Sequence, residues 1–101
     1  MDLPHYSFNE NDLVRLSKSL GVIELAIFGS VLRDDFNEHS DIDILVEFDE
    51  NLQYSYFDLQ DVQESFEGFF HRPIDLVEKK ALRNPYRKET ILKTARIIYA
   101  A

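Results

Sequence analysis

The sequence predicts a small α/β domain (α+β) in the order α-β-α-β-α-β-α, with one three-stranded mixed sheet covered by helices. Three observations predict it. Short β-branched or aromatic runs bounded by glycine, proline or polar turns occur at 22–28, 41–48 and 72–77. Apolar residues at helical spacing fill the intervals around them. The chain has 101 residues, 45% hydrophobic and 30% charged, which suits one domain over residues 1–101 with one modest core.

The elements follow in order. Ser7 and Glu10 fit a capping box at a helix start. Leu13, Leu16 and Leu20 then recur at helical spacing, and Gly21 reads as the stop. "VIELAIF" (22–28) reads as a strand, and a short helix is expected from Ser30 across "SVLRDDF". "NEHS" (37–40) is loop, and "DIDILVEF" (41–48) is a strand whose later part is apolar enough to be buried on both faces. "DENLQ" (49–53) is turn, and Ser55 with Asp58 offers a second cap. Leu59, Val62, Phe66 and Phe69 or Phe70 make a helical stripe with Gly68 near its end. "RPIDLV" (72–77) is a third strand, entered at a sheet edge through Pro73. Asn84 and Pro85 start a last helix, with Leu92, Ala95 and Ile98 or Tyr99 as its apolar face.

Composition excludes several classes. There is no cysteine, hence no disulfide and no thiolate metal site, so a metal would need oxygen or imidazole ligands. No apolar run has the length of a membrane span, and the acidic, polar first residues do not read as a signal peptide. A cytoplasmic location is the expectation. The net charge of −8 is uneven. Residues 1–78 carry 4 basic and 18 acidic side chains, a net −14, whereas residues 79–101 carry 7 basic and 1 acidic, a net +6. The acidic body argues against direct nucleic-acid binding, which needs a basic face. The basic segment reads first as a solvated helix with cations near its C-terminal end, and second as a surface for an acidic partner.

The residues with chemistry cluster in "IFGSVLRDDFNEHSDIDILVEF" (27–48). Strand side chains alternate faces, so Asp41 and Asp43 point one way and Ile42 and Ile44 the other. Two carboxylates on one face repel unless a cation lies between them. Asp75 sits inside the apolar run "PIDLV", where a charged side chain is costly if it is buried without a partner. Its parity groups it with Val77. If the 72–77 strand lies beside the 41–48 strand, Asp75 completes a three-carboxylate cluster. Three carboxylates are the usual equipment for two Mg²⁺ ions in phosphoryl or nucleotidyl transfer. Gly29 and Ser30 stand where a strand ends and a helix begins, a place where free amides and a hydroxyl can hold a phosphate. Each feature alone has a plainer reading: strand-start or turn aspartates, an edge-strand aspartate in water, an ordinary turn.

Together, Gly29-Ser30, ten residues, then Asp41-x-Asp43 form a G-S-x10-D-x-D pattern. It resembles the active-site signature of the nucleotidyltransferase superfamily with the DNA polymerase β-type fold. The length is similar to that of the minimal nucleotidyltransferases, often paired with a HEPN-domain protein, as in MntA-type antitoxins. The resemblance covers residues 20–99, and "LRNPYRKETILKTARIIYA" (82–100) is similar to the family's C-terminal helix.

The resemblance implies a nucleotidyltransferase fold and roles by position. Asp41 and Asp43 match the metal-binding pair, and Asp75 the third catalytic carboxylate. Gly29 and Ser30 match the triphosphate-holding turn, and Arg33 the arginine three residues after the serine. Two Mg²⁺ ions and ATP are then expected. The acceptor implied is a protein hydroxyl, a tyrosine of a partner HEPN toxin, so the chain would be the AMPylating antitoxin of a hetero-oligomeric toxin–antitoxin pair. Leu32 and Asp34 depart from the commoner "G-S-x-A-R-G" run, the first by bulk and the second by negative charge. The competing reading is a catalytically silent transferase fold that neutralises its partner by binding alone through the basic segment 84–100.

Overall fold

In the computed structural model, residues 2–3, 6–33, 36–37 and 39–101 are described; the side chains of residues 2, 3, 6 and 56 lie outside the description. Two short strands, β1 (Asp2–Leu3) and β2 (Tyr6–Ser7), form an antiparallel ribbon. Helix α1 follows at Glu10–Ser19, then β3 (Val22–Phe28), a 3₁₀ turn (Gly29–Leu32) and β4 (Ile42–Phe48). Next come α2 (Tyr56–Phe70), β5 (Ile74–Glu78), a second 3₁₀ turn (Lys79–Ala81), α3 (Pro85–Thr94) and β6 (Arg96–Ala100).

The main sheet has four strands in the order β5-β4-β3-β6. β3 is antiparallel to both β4 and β6, and β4 is parallel to β5. A parallel pair needs a long crossover, and the 15-residue α2 supplies it. Alternation sorts the side chains. Leu25, Ile27, Ile42, Ile44 and Val46 face Leu13 of α1 and Val62, Phe66 and Phe70 of α2 in the main core. Ala26, Phe28 and Leu45 face Leu82 and Ile91 of the α3 region in a second, smaller core. Both cores are closed by side chains that are nearly or fully withdrawn from water.

Several expectations hold at the level of single residues. Gly21 is the left-handed residue after α1 (φ 74°), and Tyr54 and Leu52 occupy the space its side chain would need. The Ser55–Asp58 capping box is formed in both directions. Asn84 caps α3 by accepting from the amides of Tyr86 and Arg87, with Pro85 at the first helical position. Strand β5 is at the sheet edge, as Pro73 suggested.

Four expectations are corrected. The cap of α1 is Asn9, whose Oδ1 accepts from the Asp12 amide, so the Ser7–Glu10 box is not the start. Ser7 instead pairs in the β1–β2 ribbon. The helix expected across "SVLRDDF" is one 3₁₀ turn that closes at Leu32, with Arg33 already extended. The sheet has four strands rather than three. The fourth comes from residues 96–100, expected to continue the last helix: α3 stops at Thr94, Ala95 is extended, and Ile98 and Tyr99 are buried from a strand.

Candidate active site

The site is built by register. Phe28, the last residue of β3, lies opposite Asp43 of β4, and Asp43 lies opposite Asp75 of β5. Asp43 therefore sits on a central strand, with the Gly29 turn on one side and Asp75 on the other. Both aspartates share the sheet face of Leu45 and Val77, as their parity predicted. Ile42, Ile44 and Ile74 turn into the main core and anchor the strand ends that carry them.

Gly29 explains itself here. Its φ is 76°, a conformation that L side chains rarely adopt, and a Cβ there would run into the Asp43 carboxylate Oδ2. The turn thus brings backbone against a carboxylate with nothing between. The Arg33 amide donates to the Ser30 carbonyl at 2.9 Å and closes the turn. Ser30 is half-buried, Val31 is buried, and Leu32 packs against the main core. Arg33 is exposed, and its charge reaches Asp43. Asp34 lies outside the described residues, so the charge it was expected to add has no structural description.

Asp43 is half-buried, whereas Asp41 and Asp75 are exposed. The Asp43 carboxyl is held above the ordinary carboxylate value, first by burial and then by the charges of Asp75 and Asp41. A side-chain hydrogen bond with Asp75 acts the same way, and Arg33 opposes them. Asp75 is exposed on the edge strand, the plainer of the readings its sequence context offered. What makes it notable is its place beside Asp43.

The donor set is carboxylate oxygen throughout, which suits a hard divalent cation such as Mg²⁺. The repulsion expressed at Asp43 is the kind a cation relieves. Among the described residues, no group of three or more histidine, aspartate or glutamate side chains is drawn together closely enough to hold a metal ion as it stands. Asp43 and Asp75 already meet through a side-chain hydrogen bond, and Asp41 stands one residue before β4. Among the described residues there is also no helix long and apolar enough to cross a membrane.

The mixed sheet sets a glycine turn against carboxylates on two neighbouring strands, the arrangement expected from the nucleotidyltransferase resemblance. The chain matches the nucleotidyltransferase domain family over residues 10–98, and it belongs to that family: it is a nucleotidyltransferase. A relative from Methanocaldococcus jannaschii, whose name assigns it provisionally as a protein adenylyltransferase, is 43% identical over 70 residues, spanning 69% of this chain and 70% of the relative. The protein adenylyltransferase MntA of Thermococcus cleftensis is 36% identical over 78 residues, spanning 77% of this chain and 76% of that protein. Among solved structures, a toxin–antitoxin crystallised with AMP-PNP superposes with a TM-score of 0.72 at 17% identity, covering 93% of this chain and 75% of that one, which bears on the fold alone. A structure described provisionally as a minimal nucleotidyltransferase superposes with a TM-score of 0.70 at 29% identity, with 86% of each chain covered.

Sequence reasoning missed one residue that touches the site's framework, Arg72. The signal was there, a cation three residues before Asp75, but its contacts lie in a loop more than thirty positions away.

Proposed function

We propose that this chain transfers AMP from ATP to a protein hydroxyl, a tyrosine of a HEPN-domain toxin, and thereby acts as the antitoxin of the pair. The observation that carries the reading is the register Phe28–Asp43–Asp75 across three strands, which lays the Gly29 turn against the Asp43 carboxylate. The names of the relatives, protein adenylyltransferases, support the reaction, and the toxin–antitoxin folds support the partner.

Each residue has a part. The Gly29–Ser30 backbone and the Ser30 hydroxyl hold the triphosphate, with Arg33 beside it to pair with a phosphate oxygen. Asp41, Asp43 and Asp75 would hold Mg²⁺, which would neutralise phosphate charge and lower the pKa of the acceptor hydroxyl. Asp75, on the exposed edge strand, orients that hydroxyl. The acceptor oxygen attacks the α-phosphorus, its bond to phosphorus forms, and the bond from the α-phosphorus to the leaving pyrophosphate breaks. The hydroxyl proton leaves to a carboxylate or to solvent. Positioning supplies much of the rate, because the groups are held in line before reaction.

The test is label transfer to the HEPN partner from α-labelled and, separately, γ-labelled ATP. The α-label is expected on the partner and the γ-label is not, and the Asp41→Ala/Asp43→Ala variant is expected to transfer neither. The silent-binder reading is favoured by the incomplete closure of the carboxylates. It would gain if the complex formed without any α-label on the partner.

A further inference from the structure

We propose that Arg72 is the positioning residue of this site: it ties the 36–40 loop to the start of β5 and so sets Asp41 and Asp43 against Asp75. Arg72 is half-buried. Its Nη1 donates to the Asn37 carbonyl at 2.8 Å and to the Ser40 carbonyl at 3.0 Å. Its guanidinium carbon lies 4.4 Å from the centroid of the buried Phe36 ring. One side chain thus grips both ends of the segment that leads into Asp41.

The loop is prepared for this grip. The Ser40 amide donates to the Asn37 carbonyl at 3.0 Å, the Asn37 amide to Ser40 Oγ at 3.1 Å, and the His39 amide to Asn37 Oδ1 at 2.8 Å. These bonds make a compact turn whose carbonyls face Arg72. On the other side, α2 ends at His71 in the left-handed conformation (φ 56°), which turns the chain into Arg72. One residue later the Ile42 amide donates to the Pro73 carbonyl at 3.0 Å, the first bond of the β4–β5 register. That register places Asp43 opposite Asp75. Arginine suits the task better than lysine, because a planar guanidinium can lie on a ring while its N–H groups reach two carbonyls.

Arg72 has this role only if Asp41, Asp43 and Asp75 are the carboxylates of the transfer site, as proposed above. The experiment separates the two ideas. Affinity for Mn²⁺ alone, without nucleotide, is measured by electron paramagnetic resonance for the wild type, Arg72→Met and Arg72→Lys. Amide hydrogen exchange is followed in the same proteins. Removing a positive charge near carboxylates would by charge alone strengthen cation binding. Positioning predicts the opposite sign: Arg72→Met binds Mn²⁺ about tenfold more weakly, the scale typical of lost supporting contacts around a metal site. Arg72→Lys is expected to fall between. The Ser40 and Ile42 amides exchange faster in Arg72→Met, while Leu25 and Val46 keep their protection. In an Asp75→Asn background, Arg72→Met costs little further affinity, because the partner it positions is gone.

Unchanged or tighter Mn²⁺ binding in Arg72→Met, or unchanged exchange at Ser40 and Ile42, would overturn the proposal. If wild type binds no Mn²⁺, the metal-site reading of the aspartates fails, and the exchange data still decide whether Arg72 holds the register. If Arg72→Met does not fold, Arg72→Lys and Arg72→Gln are judged by the same two readouts.

Discussion

At the scale of the residue, Asp43 carries the tension of the site. Burial and two neighbouring carboxylates make its ionised form unfavourable in the folded chain. A raised folded-state pKa means that the folded protein holds this proton more tightly than the unfolded chain does. The resulting stability is fully present below the ordinary carboxylate value of 3.8 and is lost as pH rises through the raised value. The thermal midpoint of the wild type is therefore expected to fall across that window relative to Asp43→Asn, which has no proton to lose there. Mg²⁺ added at neutral pH is expected to raise the wild-type midpoint and to leave Asp43→Asn unmoved. Calorimetry over a pH series, with and without Mg²⁺, checks both. In the sequence the pairing Asp43–Asp75 was conditional on the 72–77 strand lying beside the 41–48 strand, or implied by the family resemblance. Their juxtaposition needed the strand order, which local pattern does not contain.

At the scale of the element, β6 shows where periodicity misleads. Leu92, Ala95 and Ile98 or Tyr99 fit a helical stripe. In the fold, Ile98 and Tyr99 are both buried, which simple strand alternation forbids. A register shift resolves this: Leu25 pairs with Tyr99 and Ala26 with Ile97, so Ile98 is an extra residue on its strand. The bulge lets two consecutive side chains enter the core and erases the period-2 signal. What remained in the sequence was the β-branched and aromatic run "RIIY". Replacing Ile98 by alanine is expected to cost about 2–5 kcal/mol, as for other buried aliphatic truncations. Ile97, 56% exposed, is expected to tolerate alanine within about 0.5 kcal/mol. A continued helix would not rank the two this way, and urea denaturation measures the ranking. Helix α2 was legible in its cap, its stripe and Gly68 near its end, and Gly68 lies within the helix. A Cβ at Gly68 meets nothing within 4 Å. Gly68→Ala is therefore expected to stabilise the protein by about 1 kcal/mol in the same assay.

At the scale of the molecule, folding partly cancels the charge asymmetry of the chain. Glu24 of β3 and Glu47 of β4 are paired across the strands, and Lys79, from the basic segment, lies 3.5 Å from the first and 3.7 Å from the second. Part of that segment thus serves the sheet before any partner. The solvated-helix reading also has support, since Lys93 pairs with Glu89 at 2.9 Å on the exposed face of α3. The α/β class and three of the four main strands could be read from short apolar runs and their punctuation. Four of the candidate site residues, Gly29, Ser30, Asp41 and Asp43, could be proposed from their spacing. The fourth strand and the grip of Arg72 on the 36–40 loop could not, because both depend on contacts far apart in sequence. The central claim is that Gly29 is glycine so that its turn can lie against Asp43 in a nucleotidyl-transfer site. The most direct measurement is pyrophosphate release from ATP in the presence of the HEPN partner, by wild type and by Gly29→Ala, with folding confirmed by circular dichroism. Wild type is expected to release one pyrophosphate for each AMP placed on the partner, and folded Gly29→Ala to release none above background. A Gly29→Ala protein that keeps the wild-type rate would contradict the account.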